Sequence, residues 1–220
     1  MLIQAPHPWD VTPEEGIYIQ SQLRHQVIRE DQLILLRNVA GIDVGFESGG
    51  TLTRAAVVVL SFPELIVQET TLARRPTIFP YIPGLLSFRE VPAVLDAFTG
   101  LTILPDLLLC DGQGIAHPRR FGIACHLGLI WDIPSIGVAK SRLVGQHMQV
   151  GERRGARQPL VDDEEVIGFV LRTRSGVKPV YVSPGHRVSV ETAVDIVLRC
   201  TLNFRLPEPI RQAHRLASEK

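Results

Sequence analysis

Hydrophobic and polar positions along the chain separate a meander of strands from a later alternation of helices and strands. From about Thr12 to Val27 the pattern predicts a helix, with Thr12 able to cap it, Pro13 at the favoured first position and Glu14 and Glu15 at its positive end. Leu33 to Glu47 reads as a strand region, with Asn38 a kink and Ala40–Phe46 its core. Glu47-Ser48-Gly49-Gly50 marks a turn, Arg54 to Ser61 a second strand, Phe62-Pro63-Glu64 another turn, and Leu65 to Leu72 a third strand. Three strands with short connections predict an antiparallel meander.

The segment 75–84 has prolines at 76, 80 and 83 and neither helical nor strand period. Beyond it the pattern predicts a helix from about Leu85 to Phe98, an apolar strand ending at Asp111, a helix from about Arg119 to Trp131 and a short strand from Ser135 to Val138. Residues 145–160 read as a mobile loop. Strands near 165–173 and 178–182 precede a helix capped by Ser189 that runs to about Leu202, and a final helix after Pro207-Glu208-Pro209 carries His214. The expected fold is one α/β domain over residues 1–220, a mixed sheet with helices outside.

Composition narrows the picture only slightly. Acidic and basic side chains balance at 23 each, which counts mildly against a nucleic-acid partner, although acidic metal ligands can mask a basic patch in the total. Such a patch is available: between Ser141 and Gln158 stand Arg142, Arg153, Arg154 and Arg157 against the single Glu152. Three scattered cysteines without a Cys-x-x-Cys argue against a disulfide framework or zinc ribbon, and Cys110, inside an apolar run, is expected in the core. No apolar run approaches the ~18 residues of a membrane span, and the start of the chain lacks a basic region followed by an apolar stretch. A cytoplasmic monomer is expected.

Candidate chemistry lies at strand ends. Leu107-Leu108-Leu109-Cys110 delivers Asp111 to a sheet edge, where ligands of open α/β sheets bind, and Gly112, Gly114, His117, Arg119 and Arg120 follow. A carboxylate beside a basic cluster suits a metal-bridged phosphate. Asp43 interrupts the apolar strand Ile42-Asp43-Val44 and needs a partner there, either an arginine, backbone donors or a metal. If the two strands are neighbours, Asp43 and Asp111 converge and repel, which a divalent cation would relieve. Glu90 lies on the intervening helix. Taken alone, Glu90 could be a solvated helix residue, His117-Pro118 a helix start, and Lys140 an exposed strand-end lysine.

The order of these acids, one on the first strand of a meander, one on the following helix and one ending the fourth strand, resembles the ribonuclease H-like nuclease fold. The words Ala40-Gly41-Ile42-Asp43-Val44, Phe79-Pro80-Tyr81-Ile82-Pro83-Gly84-Leu85-Leu86-Ser87-Phe88-Arg89-Glu90, Asp111-Gly112-Gln113-Gly114-Ile115-Ala116-His117-Pro118-Arg119 and Gly137-Val138-Ala139-Lys140-Ser141 resemble the endonuclease V family from about residue 35 to 215. That resemblance implies a nuclease acting near hypoxanthine in DNA, cutting the second phosphodiester bond on the 3′ side and leaving 3′-hydroxyl and 5′-phosphate ends; some relatives prefer inosine in RNA. It implies Asp43 and Asp111 as Mg²⁺ ligands, Glu90 completing the site, and Mn²⁺ as a possible substitute. By the same resemblance Lys140 lies near the scissile phosphate and His117 beside the site. His214 handles a proton or positions water, with direct ligation the second option. Pro80-Tyr81-Ile82-Pro83 would be a wedge entering the DNA stack, and Gly84, Leu86, Gly122 and Ile123 would line the base pocket. Two other readings are weaker. A binding module without catalysis is expected to lack an acid or Lys140, all of which are present, and a phosphate-binding metabolic enzyme is expected to have a Gly-rich turn from its first strand into a helix.

Overall fold

A computed structural model describes residues 6–33 and 35–218. Residues 1–5, on which the reading of the chain start rests, and Ile34 lie outside it. Helix α1 (Pro13–Leu23) begins as expected, with Thr12 and Glu15 forming a reciprocal capping box. The strands are β1 (Asn38–Glu47), β2 (Leu52–Ser61), β3 (Val67–Pro76), β4 (Leu107–Asp111), β5 (Ser135–Ala139), β6 (Arg157–Asp162), β7 (Glu165–Leu171) and β8 (Val180–His186). Between them lie α2 (Leu86–Phe98), α3 (Ile123–Trp131) and α4 (Val190–Arg199), and α5 (Glu208–Ser218) closes the described chain. All eight strands form one sheet in the order β3-β2-β1-β4-β5-β8-β7-β6. The meander is antiparallel, β1, β4 and β5 run parallel, and β8, β7 and β6 return antiparallel.

Successive residues of a strand face opposite sides, and β4 uses both sides for core. Leu107 and Leu109 pack with α4 and α5 in one apolar layer, while Leu108 and Cys110 pack with α2 and α3 in the other. Cys110 is therefore a core residue, as expected. Glycines on β1 set how closely α5 approaches. A Cβ on Gly41 would stand 2.0 Å from the Pro209 carbonyl oxygen, and one on Gly45 would stand 2.6 Å from that of Ala217. Gly41, Asp43 and Gly45 alternate onto the same face, so the two glycines seat α5 and Asp43 lies beneath it.

Several sequence-based boundaries change. β1 starts at Asn38, which pairs with Ser61 instead of kinking a longer strand, and Leu33 and Leu36 pack on the core without joining the ladder. β3 continues to Pro76 because Arg74 and Arg75, polar in the pattern, find partners in Glu47 and Asp96. α3 begins at Ile123, four residues later than expected, and α4 ends at Arg199. The predicted loop at 145–160 is irregular over most of its length but ends in a strand. Residues 157–162 form β6, and Gln146 exchanges backbone hydrogen bonds with Val161. Pro159 obscured this strand, yet an edge strand tolerates proline because one side of its ladder is unused. Among the described residues no helix is long and apolar enough to cross a membrane.

Candidate active site

The last parallel pair of β1 and β4 is Ile42 with Cys110, and the next residue on each strand is an acid: Asp43 and Asp111. Parallel register thus brings two carboxylates together at one end of the sheet. α5, seated on Gly41 and Gly45, contributes His214, whose Nδ1 lies 2.6 Å from Asp43 Oδ2. One ligand-type atom from each of Asp43, Asp111 and His214 falls within 4.8 Å of the others. Asp43 is 9% exposed, and burial together with the Asp111 charge pushes its carboxyl above the ordinary range. Glu90, on the second turn of α2, is pushed up to about 8 by burial and by both aspartates. Burial and neighbouring acid charge thus oppose ionisation of Asp43 and Glu90 at one place, the condition a divalent cation relieves.

Lys140 follows the last residue of β5, and its Nζ forms an ion pair with Asp111 Oδ2. A cleft of about 330 Å³ opens beside these groups, within the range of small-ligand sites. Glu90, Asp111 and Lys140 line it, and Gly84, Leu86, Gly122 and Ile123, the expected base pocket, line the same cleft. Tyr81 and Pro83 stand at its rim. Asp43 and His214 lie next to Asp111 outside the cleft lining, while Pro80 is exposed and absent from that lining, and Ile82 packs against the Phe79, Leu85 and Phe88 cluster.

Tyr81 is 68% exposed although its neighbours are pinned. Phe79 is buried, its carbonyl accepts from Arg89 Nη1 at 3.2 Å, and Ile82 O accepts from Leu85 N at 2.9 Å. The loop therefore holds an aromatic ring in solvent on an ordered backbone.

Sequence reasoning missed the support of the pocket. Gly84 has a φ of +80°, a region that favours glycine, and a Cβ there would meet Arg119 Nη2 at 2.9 Å. Its carbonyl accepts from Gln20 Nε2 at 3.0 Å, His117 Nε2 at 2.9 Å and Arg119 Nη2 at 2.7 Å. Gln20 is buried, and its Oε1 accepts from Arg119 Nε at 2.5 Å. His117 Nδ1 accepts from the Arg119 backbone N–H at 3.2 Å, which leaves the ring proton on Nε2. Burial, with Arg119 nearby, lowers the His117 pKa to about 4, so the ring is neutral at physiological pH. His117 holds the pocket backbone, and among the described residues it shares no hydrogen bond with the acids. Gln20 gives no local signal, because its acceptor lies 64 residues away. Gly122 is required by contact: a Cβ there would stand 2.3 Å from Gln113 O, where the Asp111–Gly114 loop crosses the start of α3.

Known proteins match along the whole chain. The Endonuclease V family model matches residues 21–215. An Endonuclease V from Nostoc sp. is 62% identical, with 100% of each chain covered. The crystal structure of Endonuclease V from Streptomyces avermitilis superposes with a TM-score of 0.90 at 41% identity, covering 99% of this chain and 96% of that one. Endonuclease V from Ciona intestinalis, solved with a 24mer DNA containing an inosine followed by a ribo-adenosine, gives a TM-score of 0.81 at 29% identity, covering 93% and 95%. By motif, fold and full-length identity, the chain belongs to the Endonuclease V family.

Proposed function

We propose that this protein is a Mg²⁺-dependent repair endonuclease that recognises hypoxanthine in DNA and hydrolyses the second phosphodiester bond on its 3′ side, leaving 3′-hydroxyl and 5′-phosphate ends. The observation that carries this reading is the convergence of Asp43, Asp111 and His214 beside a cleft lined by Glu90 and Lys140. The donor set fits a hard divalent cation. Carboxylate oxygens dominate it, two of the acids are held above their ordinary pKa values, and one imidazole is tolerated by Mg²⁺ and more readily by Mn²⁺. Asp43, Asp111 and Glu90 would hold the ion, which when bound polarises the scissile phosphate and makes water a stronger nucleophile.

The remaining work falls to side chains of this chain. Lys140 brings fixed positive charge to the edge where Asp111 stands and favours charge accumulating on the phosphate oxygens. His214 donates Nδ1–H to Asp43, so its Nε2 is the atom that can take a proton from the attacking water. Gly84, Leu86, Gly122 and Ile123 surround the base, and their main-chain groups suit hypoxanthine, which presents acceptors at O6 and N7 and a donor at N1. His117, with Gln20 and Arg119, keeps the Gly84 peptide in place. The cytoplasm is the proposed compartment.

The test is cleavage of matched oligonucleotides, duplex and single-stranded, carrying deoxyinosine, inosine or adenine, in Mg²⁺ or in EDTA, with the nick mapped. Expected is a Mg²⁺-dependent nick one nucleotide beyond the inosine, absent in EDTA and from adenine controls. The ribose arm is included because the Ciona relative was solved on a DNA whose inosine precedes a ribonucleotide. Cleavage confined to RNA would reassign the substrate, and no metal-dependent cleavage of any arm would overturn the enzymatic reading.

Tyr81 supplies a further prediction. If its ring fills the stack after the base leaves, Tyr81→Ala removes an aromatic contact worth about 1–3 kcal/mol. Affinity for inosine duplex in Ca²⁺ is then expected to fall by roughly ten- to hundred-fold. Single-stranded substrate is expected to suffer less, because its base needs no unpairing. The melting temperature is expected to stay unchanged, because the ring is exposed. Equal losses on duplex and single strand with a lowered melting temperature would show a structural role instead.

A further inference from the structure

Lys140 stands one residue past the end of its ladder. The last registered pair between β5 and β8 is Ala139 with Tyr181, so the Lys140 carbonyl has no strand partner. A side chain meets it instead. Arg205, on the connection between α4 and α5, donates from Nη2 to Lys140 O at 2.6 Å and to Pro179 O at 2.9 Å, and from Nε to Lys178 O at 2.9 Å. Its acceptors belong to the exit of β5 and the turn leading into β8. One planar guanidinium thus continues the lock between these strands where main-chain pairing stops.

Arg205 is itself fixed in place. Its carbonyl accepts from the hydroxyl of the fully buried Thr173 at 2.6 Å, and α5, which carries His214, begins three residues later. Among the described residues every hydrogen bond of its guanidinium goes to a main-chain carbonyl, none to a carboxylate. On the other side of Lys140, the next carbonyl, Ser141 O, accepts from Gln113 Nε2 at 3.1 Å. The backbone around this lysine is therefore held from both sides, while the side chain is free to meet Asp111.

We propose that Arg205 is a positioning residue for catalysis: it fixes the main chain at Lys140 so that the ammonium is held at the Asp111 edge. This rests on the reading of Lys140 as an electrostatic stabiliser. A long side chain on an unpaired strand end samples many positions, and the anchor removes the backbone part of that freedom. Arg205 acts through Lys140 and needs no contact with the nucleic acid.

A double-mutant cycle tests this. Wild type, R205A, K140A and the double variant are compared for single-turnover cleavage of inosine duplex at saturating enzyme in Mg²⁺, with duplex affinity in Ca²⁺ across a salt series and thermal melting alongside. R205A is expected to slow cleavage by about tenfold with affinity and salt slope unchanged, and to cost less than about twofold when Lys140 is already alanine, the non-additivity of coupled residues. R205K runs through the same cycle, so that a poorly folded R205A does not end the test. An ammonium cannot serve the three carbonyls in the same fork, so R205K is also expected to be slow, and its loss to vanish without Lys140. An undiminished loss in the K140A background would overturn the proposal. Unchanged cleavage in R205A or R205K would do the same, as would weaker binding with a shallower salt slope, the mark of a direct phosphate contact. If K140A itself cleaves at the wild-type rate, the reading of Lys140 fails first, and the cycle shows this separately.

Discussion

Asp43→Asn and Asp111→Asn are each expected to reduce Mg²⁺-dependent nicking of inosine duplex by at least about 10³-fold, the rate equivalent of roughly 4 kcal/mol of lost transition-state stabilisation. The amide keeps the shape of the side chain and removes the charge that holds the ion. At position 43 it also keeps an oxygen for His214 Nδ1, which lies 2.6 Å from the carboxylate. Stability is expected to move the other way. The buried Asp43 carboxyl is pushed up by desolvation and by Asp111, so ionisation strains the metal-free fold. Removing one charge relieves that opposition, and in EDTA the variants are expected to melt no lower than wild type. Binding of inosine duplex in Ca²⁺ is expected to persist, because the base pocket and Tyr81 are untouched. Calorimetry in EDTA, gel-shift binding and nicking assays check the three statements. Near-normal Mg²⁺-dependent nicking by either variant would remove these aspartates from the metal site.

What could be read from the sequence was what repeats locally. The apolar runs ending at Asp111 and crossing Asp43 were legible because a carboxylate in such a run breaks the pattern, and the parallel register of β1 and β4 then brings both acids to one end. The roles of Glu90, Lys140 and Tyr81 were not in the periodicity and entered only through resemblance to a family. His214 shows the limit most clearly. On its own it is a polar position of an amphipathic helix, and it becomes a partner of Asp43 only because Gly41 and Gly45 let α5 settle onto β1. In the sequence those glycines look like strand-weakening residues.

Contacts between distant segments were illegible in a different way. Gln20 is a plain helical glutamine until the fold brings it to the Gly84 carbonyl, and Arg205 is an ordinary basic residue until β5 ends beside it. Neither sits in an informative word, because each acts on main-chain carbonyls, which every residue type presents. β6 was hidden for another reason: Pro159 contradicts a central strand, and only the sheet order reveals that this strand is an edge. Chemistry-bearing residues were thus easier to find than the residues that hold them, since an acid in an apolar run is locally anomalous and a donor to a carbonyl is not.

Lys140→Ala separates those two kinds of contribution. The Lys140–Asp111 ion pair is open to water on the lysine side, whose side chain is 40% exposed, so its loss is expected to change stability by no more than about 1 kcal/mol. Cleavage is expected to fall far more, by about 10²-fold or beyond, the scale of a lost electrostatic stabiliser at a reacting centre. The loss should appear in the single-turnover rate at saturating enzyme rather than in duplex affinity, because a charge used on the transition state adds little to ground-state binding. Lys140→Arg keeps the charge on a longer, planar group, and partial activity is expected from it. An alanine variant that cleaves within about threefold of wild type would show that the lysine only neutralises Asp111. One that loses rate and melting temperature together, with arginine giving no recovery, would show that the pair holds the strand end and not the phosphate.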